Sequence, residues 1–144
     1  MSAALQTQLQ QIVALFENLA PTDLPQLGRS YTEDALFKDP FNEVQGVPAI
    51  LGVFEHMFRT LSGPRFVVRD TVLQGTQCFL TWDFIFRLRR GGKEMVVRGG
   101  SHLKLAADGR IAVHRDYWDV AEELYEKLPV LGTLMRWLKR RVNS

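Results

Sequence analysis

An α+β fold built on one curved antiparallel sheet is predicted by a change of period near residue 65. Before it, apolar residues recur every three to four positions and read as helices; after it they alternate and read as strands. Two glycine turns, Gly91-Gly92 and Asp108-Gly109, then fold the alternating stretch into a meander. Helices first and strands after, in a chain of 144 residues, is the layout of a single domain, 1–144.

Leu5, Leu9, Ile12, Val13, Phe16 and Leu19 share one helical face, which predicts a helix over 4–20. Pro21 ends it, and Thr22 or Asp23 caps a short second helix reaching about Tyr31. Ala35–Pro40 reads as a short extended segment closed by the Asp39-Pro40 turn. Gly46 and Pro48 open a third helix with Ile50, Val53, Phe54, Met57, Phe58 and Leu61 as its apolar stripe, and Ser62-Gly63-Pro64 closes it. Strands are predicted at 65–74, 78–89, 94–106 and 110–118, then a last helix over about 121–142, interrupted at Pro129–Gly132.

The net charge of +2 is too small to argue for nucleic acid as a partner. One cysteine, Cys78, makes no internal disulfide, and no apolar run approaches the length of a membrane span. The three histidines, His56, His102 and His114, show no metal-ligand spacing. A cytoplasmic protein without a metal or other cofactor is expected.

A two-residue loop sets the register of its hairpin. With Asp108-Gly109 as loop, Leu103 lies opposite His114, Ser101 opposite Asp116 and Gly99 opposite Trp118. With Gly91-Gly92 as loop, Trp82 lies opposite Ser101 and Phe84 opposite Gly99. One face then carries Leu80, Trp82, Phe84, Phe86, Gly99, Ser101, Leu103, Ala112, His114, Asp116 and Trp118. The other carries Asp83, Arg87, Arg98, His102, Lys104 and Arg115. His114 and Asp116 therefore fall on the apolar face. Gly99 and Ser101 are small beside Trp82, Phe84 and Trp118, and the space they leave predicts a cavity with one polar end. The alternative is a satisfied core, with Asp116 bonded to Ser101 or a helix and Gly99 making room for an indole.

Tyr31–Phe41 (YTEDALFKDPF), Gln45-Gly46 before a helix, Asp108–Ile111 and Tyr117-Trp118 together resemble the nuclear-transport-factor-2-like superfamily. Within it, the SnoaL-like proteins and the ketosteroid isomerases are most similar in feel. The resemblance runs over nearly the whole chain and implies a cone: a curved sheet wrapped around three N-terminal helices, with a pocket at the open end. It also implies that Asp39, in its D-A-x-x-x-D-P setting, matches the isomerase's general base, and that Tyr31 matches a supporting tyrosine. The isomerase's oxyanion donors fall on Phe16 (or Leu15) and Ser101, and a further tyrosine falls on Phe54. Without strong donors there, that isomerase route is not expected. In the cyclase branch an acid/base aspartate projects from the late strands, a part that Asp116 with His114 would fill.

Asp116 beside Trp82, Phe84 and Trp118 would be stripped of much of its water, which suits a proton-transferring group. His114 lies two residues along the same face, and Asp39 would add a second carboxylate at the pocket mouth or serve only as a turn-former. Trp82, Phe84, Gly99, Ser101, Trp118, Tyr31, Phe16 and Phe54 are the expected ligand-binding residues, for a small apolar molecule. Isomerisation, intramolecular aldol closure, dehydration and epoxide opening all fit; so does binding without turnover. Phe79, Ile85, Val113 and Tyr117 on the outer sheet face predict a homodimer, as the resemblance also implies. The basic, amphipathic Leu131–Arg141 either packs on the cone or a partner subunit, or lies on an anionic membrane.

Overall fold

Three helices hold the first half of the chain in this computed structural model, which describes residues 2–127 and 129–143. They are α1 (Ser2–Glu17), α2 (Leu24–Arg29, preceded by a 3₁₀ turn at Pro21–Asp23) and α3 (Val47–Thr60). Between α2 and α3 run β1 (Tyr31–Lys38) and β2 (Glu43–Gln45); after them come β3 (Ser62–Gln74), β4 (Gln77–Arg87), β5 (Glu94–Leu105) and β6 (Ile111–Tyr117). The chain closes with α4 (Val120–Glu123), a 3₁₀ turn at Tyr125–Lys127, and α5 (Pro129–Asn143). The mixed α+β plan is the predicted one. The break in the last helix lies before Pro129 rather than at 129–132, because a proline is well placed at the first position of a helix. Residue 128 lies outside the described residues.

One six-stranded sheet takes the order β2-β1-β6-β5-β4-β3 and curves around the helices. All its pairs are antiparallel except one: β1 joins β6 in parallel, a pairing the meander pattern did not predict. β1 is therefore longer than the extended segment expected at Ala35–Pro40, and Tyr31 belongs to it rather than to α2. Between helices and sheet, Leu9, Ile12, Leu27, Ile50, Leu80, Leu103 and Ile111 form a continuous core. Each such fully buried aliphatic side chain contributes about 1.5–3 kcal/mol.

Loop geometry sets which side chains enter that core. Gln74 pairs with Gln77, so Gly75-Thr76 is a two-residue loop with Gly75 at φ 59°, as a type II′ turn requires at its first position. Arg69 then bulges out of β3, which turns Val68 and Phe66 to the concave side opposite Trp82 and Phe84. Arg87 pairs with Glu94, so the β4–β5 loop spans 88–93 and is not the two-residue Gly91-Gly92 turn expected. Trp82 consequently lies opposite Gly99, and Phe84 opposite Val97, a shift of two residues that leaves every side chain on its predicted face. At the last hairpin, Ala106 pairs with Arg110 through a three-residue loop ending in Gly109 at φ 85°. A bulge at Ala112 restores the predicted opposition of Ser101 to Asp116 and Leu103 to His114. Ala112 thereby gives up the concave position to Ile111, which is fully buried.

Gly99 does not leave a gap, as the sequence suggested. A Cβ there would meet the six-membered ring of Trp82 at 2.5 Å, so the indole lies flat over the glycine. Gly99→Ala should push the indole aside and cost about 2 kcal/mol in denaturant unfolding; an unchanged midpoint would show that the ring has somewhere else to go.

β6 ends opposite Gly100, so β5 runs past it with a bare edge. α4 and the turn after it cover that edge with side chains. Glu123 Oε1 accepts the Arg98 backbone N–H at 2.8 Å, and Lys127 Nζ donates to the Val96 carbonyl at 2.5 Å. Glu123 is 3% exposed, and hydrogen bonds from the Arg98 guanidinium hold its carboxyl below the usual range against the opposing effect of burial. A carboxyl depressed on folding adds stability above its unfolded value and loses it as pH falls through the folded one. E123Q should therefore lower stability by about 1–3 kcal/mol at pH 7, with the difference closing below about pH 4; a pH-independent difference would contradict this.

Candidate functional site

Five polar side chains from β1, β4, β5 and β6 meet on the concave face in one chain of hydrogen bonds. Trp82 Nε1 donates to Ser101 Oγ at 2.8 Å, and Ser101 donates to Asp116 Oδ1 at 2.5 Å. His114 Nε2 lies 2.7 Å from the same Asp116 oxygen, and His114 Nδ1 lies 2.7 Å from Tyr31 Oη. Tyr31 and His114 are 1% and 4% exposed, so their protons must find partners within the protein. Burial, and then the negative charge of Asp116, raise the Tyr31 pKa well above its ordinary value, so the phenol stays protonated and is a donor. With Tyr31 donating to Nδ1, the arrangement that gives every hydrogen an acceptor puts the imidazole proton on Nε2, directed at Asp116.

The ring of His114 is held from the sides as well. Phe37 packs against it at 4.8 Å between centroids and Phe16 at 5.7 Å, both edge-on. Two hydrogen bonds and two aromatic walls leave the imidazole one orientation. Asp116 Oδ1 takes both arriving donors, whereas Oδ2 receives no hydrogen bond from the described residues, and the side chain is 16% exposed.

Asp116 lies between two chambers and lines both. The outer one, about 270 Å³, is apolar, with walls that include Phe54, Phe66, Trp82, Phe84, Trp118 and Leu124. The inner one, about 30 Å³, is bounded by Phe16, Phe54, Trp82, Ser101, His114 and Asp116 and has room for a water. Stacked rings stiffen the outer wall: Phe66 and Phe84 at 4.7 Å, Phe84 and Phe86 at 5.0 Å.

Several expected site residues take other places. Tyr31 stands behind His114 and touches neither chamber, and Gly99 is covered by Trp82. Trp82 is not opposite Ser101, yet its indole reaches the Ser101 hydroxyl diagonally. Asp39 lines the outer chamber at its mouth, but its Oδ1 accepts the backbone N–H groups of Phe41 and Asn42 at 2.8 and 2.6 Å, and both its oxygens take the Asn42 amide at 3.1 Å. That geometry is a turn held by an aspartate. His102 bonds Gln77 on the outer face, and His56 is exposed beside Arg59 while also reaching the rim of the outer chamber. Among the described residues, no three His, Cys, Asp or Glu side chains gather as a metal-binding group.

Sequence reasoning passed over Phe37, Phe66 and Leu124. Phe37 was readable, since it alternates with Ala35 and Tyr31 along one extended run. Phe66 was not, because counting back from the Gly75-Thr76 loop without the Arg69 bulge puts it on the wrong face.

Residues 12–114 match the family described as SnoaL-like domain. No curated protein matches the chain. Among solved structures, an NTF2-like protein of unknown function from Burkholderia pseudomallei is 13% identical over 82% of this chain and 92% of its own, with a TM-score of 0.71. A hypothetical protein with a ketosteroid isomerase-like fold from Catenulispora acidiphila, in complex with trimethylamine, is 13% identical over 81% and 88%, with a TM-score of 0.70. TerC, co-crystallised with polyporic acid, is 15% identical over 82% and 93%, with a TM-score of 0.69. At such identities these structures share the fold and carry no activity across. The sequence match spans more than two thirds of the chain, and on it the protein belongs to the SnoaL-like domain family.

Proposed function

We propose that the protein performs acid/base chemistry on a small apolar molecule held in the outer chamber, with Asp116 as the group that takes and returns a proton. One observation carries this reading: both donors converge on Asp116 Oδ1, Oδ2 receives no hydrogen bond from the described residues, and the side chain lines an apolar cavity. A proton leaving the ligand goes to Oδ2, while the hydrogen bonds from Ser101 and His114 hold the carboxylate in place. Returned at another position, the same proton completes an isomerisation; returned to an oxygen, it assists a dehydration or an aldol closure. Tyr31 keeps His114 aligned from behind without meeting the ligand, and Trp82 keeps Ser101 aligned from the chamber wall. Asp39 has the lesser part of shaping the mouth. The complexes of two structural relatives with trimethylamine and polyporic acid support small organic molecules as occupants.

A second reading, a binding protein without turnover, is favoured by the donor count. The hydroxyls of Ser101 and Tyr31 are both engaged inside the network, and Phe16 and Phe54 line the inner chamber where an enolate stabiliser would be wanted. In either case the protein is read as cytoplasmic; among the described residues no helix is long and apolar enough to cross a membrane. The outer face, where Val72, Phe79 and Tyr117 are exposed, is read as the surface of a homodimer.

Binding of simple cyclic ketones and diketones is measurable through Trp82 and Trp118 fluorescence, and proton abstraction through deuterium exchange at the carbon next to the carbonyl. D116N should retain binding within a few-fold and slow exchange by about 10²–10⁴-fold. Exchange at the wild-type rate in D116N would overturn the enzyme reading, and binding with no exchange in either form would establish the second one.

A further inference from the structure

The charge of the chain is placed unevenly. Residues 87–93 and 127–144 hold nine of its eighteen basic residues and none of its sixteen acidic ones, leaving nine basic against sixteen acidic elsewhere. The first segment reaches the outer chamber, and the second follows closely on a residue that does. Leu88 in the first lines it, and so does Leu124 just before the second. The bond from Lys127 Nζ to the Val96 carbonyl holds the start of the tail at the free edge of β5.

Among the described residues, α5 packs mainly against the 3₁₀ turn that precedes it. Its Leu134, Trp137, Leu138 and Val142 recur at helical spacing and are 50%, 48%, 42% and 84% exposed. Arg136, Lys139, Arg140 and Arg141 lie among them on a helix with no acidic residue. Beside the mouth, Phe41 and Leu88 are also 60% and 52% exposed. Apolar side chains exposed among basic ones, on two segments that both carry an excess of positive charge, are what a broad anionic and oily surface would contact.

We propose that α5 and the apolar rim of the pocket seat the protein on an anionic lipid bilayer. α5 lies in the interface, with Leu134, Trp137 and Leu138 toward the acyl chains and its basic residues at the headgroups. An acidic protein would satisfy the charge but not the mixture of tryptophan and leucine with arginine and lysine, which is the pattern of an interfacial helix. A bilayer also stores apolar molecules of the kind the chamber would take. The seating does not depend on what Asp116 does.

Sedimentation of the full chain with vesicles of phosphatidylcholine, alone or with roughly 30% phosphatidylserine, tests this. Binding should be at least about ten-fold stronger to the anionic vesicles and weaken as salt is raised. L134S/L138S should lose about ten-fold in vesicle binding while keeping the wild-type melting temperature and pocket-ligand affinity. Equal binding to both vesicles, or undiminished binding by L134S/L138S, would overturn the proposal. So would a wild-type dimer that L134S/L138S converts to monomer without any vesicle binding, since α5 would then serve a second copy of the chain.

Discussion

Both hydrogen bonds that hold Asp116 arrive at one of its oxygens. Everything else about the site follows from that convergence. A carboxylate on an apolar sheet face is tolerable only when donors are fixed around it, because leaving such a group unpartnered costs several kcal/mol. Ser101 and His114 meet that demand from neighbouring strands, and each is held by a further partner, Trp82 and Tyr31. The network is closed on the protein side: no buried side-chain nitrogen or oxygen among the described residues lacks a partner. What takes no hydrogen bond from the described residues is the second oxygen of a side chain that lines the cavity.

The backbone sets this geometry before the side chains do. Ser101 faces Asp116 because a three-residue loop and a bulge at Ala112 offset one another. Phe66 reaches Trp82 and Phe84 because Arg69 bulges from β3. Trp82 reaches Ser101 because Gly99 has no Cβ to lift the indole. Two bulges and one glycine thus shape a chamber on a sheet that would otherwise present an unbroken apolar face.

How far the sequence discloses this depends on parity. The period-2 alternation of β4, β5 and β6 places His114, Asp116 and Ser101 on the concave side, and a two-residue error in the β4–β5 register leaves that intact. Errors of one residue are not so forgiving, and a bulge is an error of one; Phe66 and Ala112 were hidden for that reason. Long-range orientation was hidden too. Tyr31 reads as the end of a helix and, by resemblance, as a supporting tyrosine, and only the parallel pairing of β1 with β6 puts its hydroxyl on His114. Asp39 shows the opposite case: a family resemblance suggested a base, whereas the local Asp-Pro-Phe-Asn sequence had already described the turn it makes. The matched family region ends at His114, so the part given to Asp116 rests on this geometry and not on the match.

The tautomer of His114 tests the network most directly. Nitrogen-15 spectra of the imidazole at neutral pH distinguish a protonated nitrogen from a bare one. The account predicts a proton on Nε2, toward Asp116, and a bare Nδ1 accepting from Tyr31. A proton on Nδ1 with Nε2 bare would reverse the direction of both bonds, remove a donor from Asp116, and contradict the proposal that its second oxygen alone is left to work on a ligand.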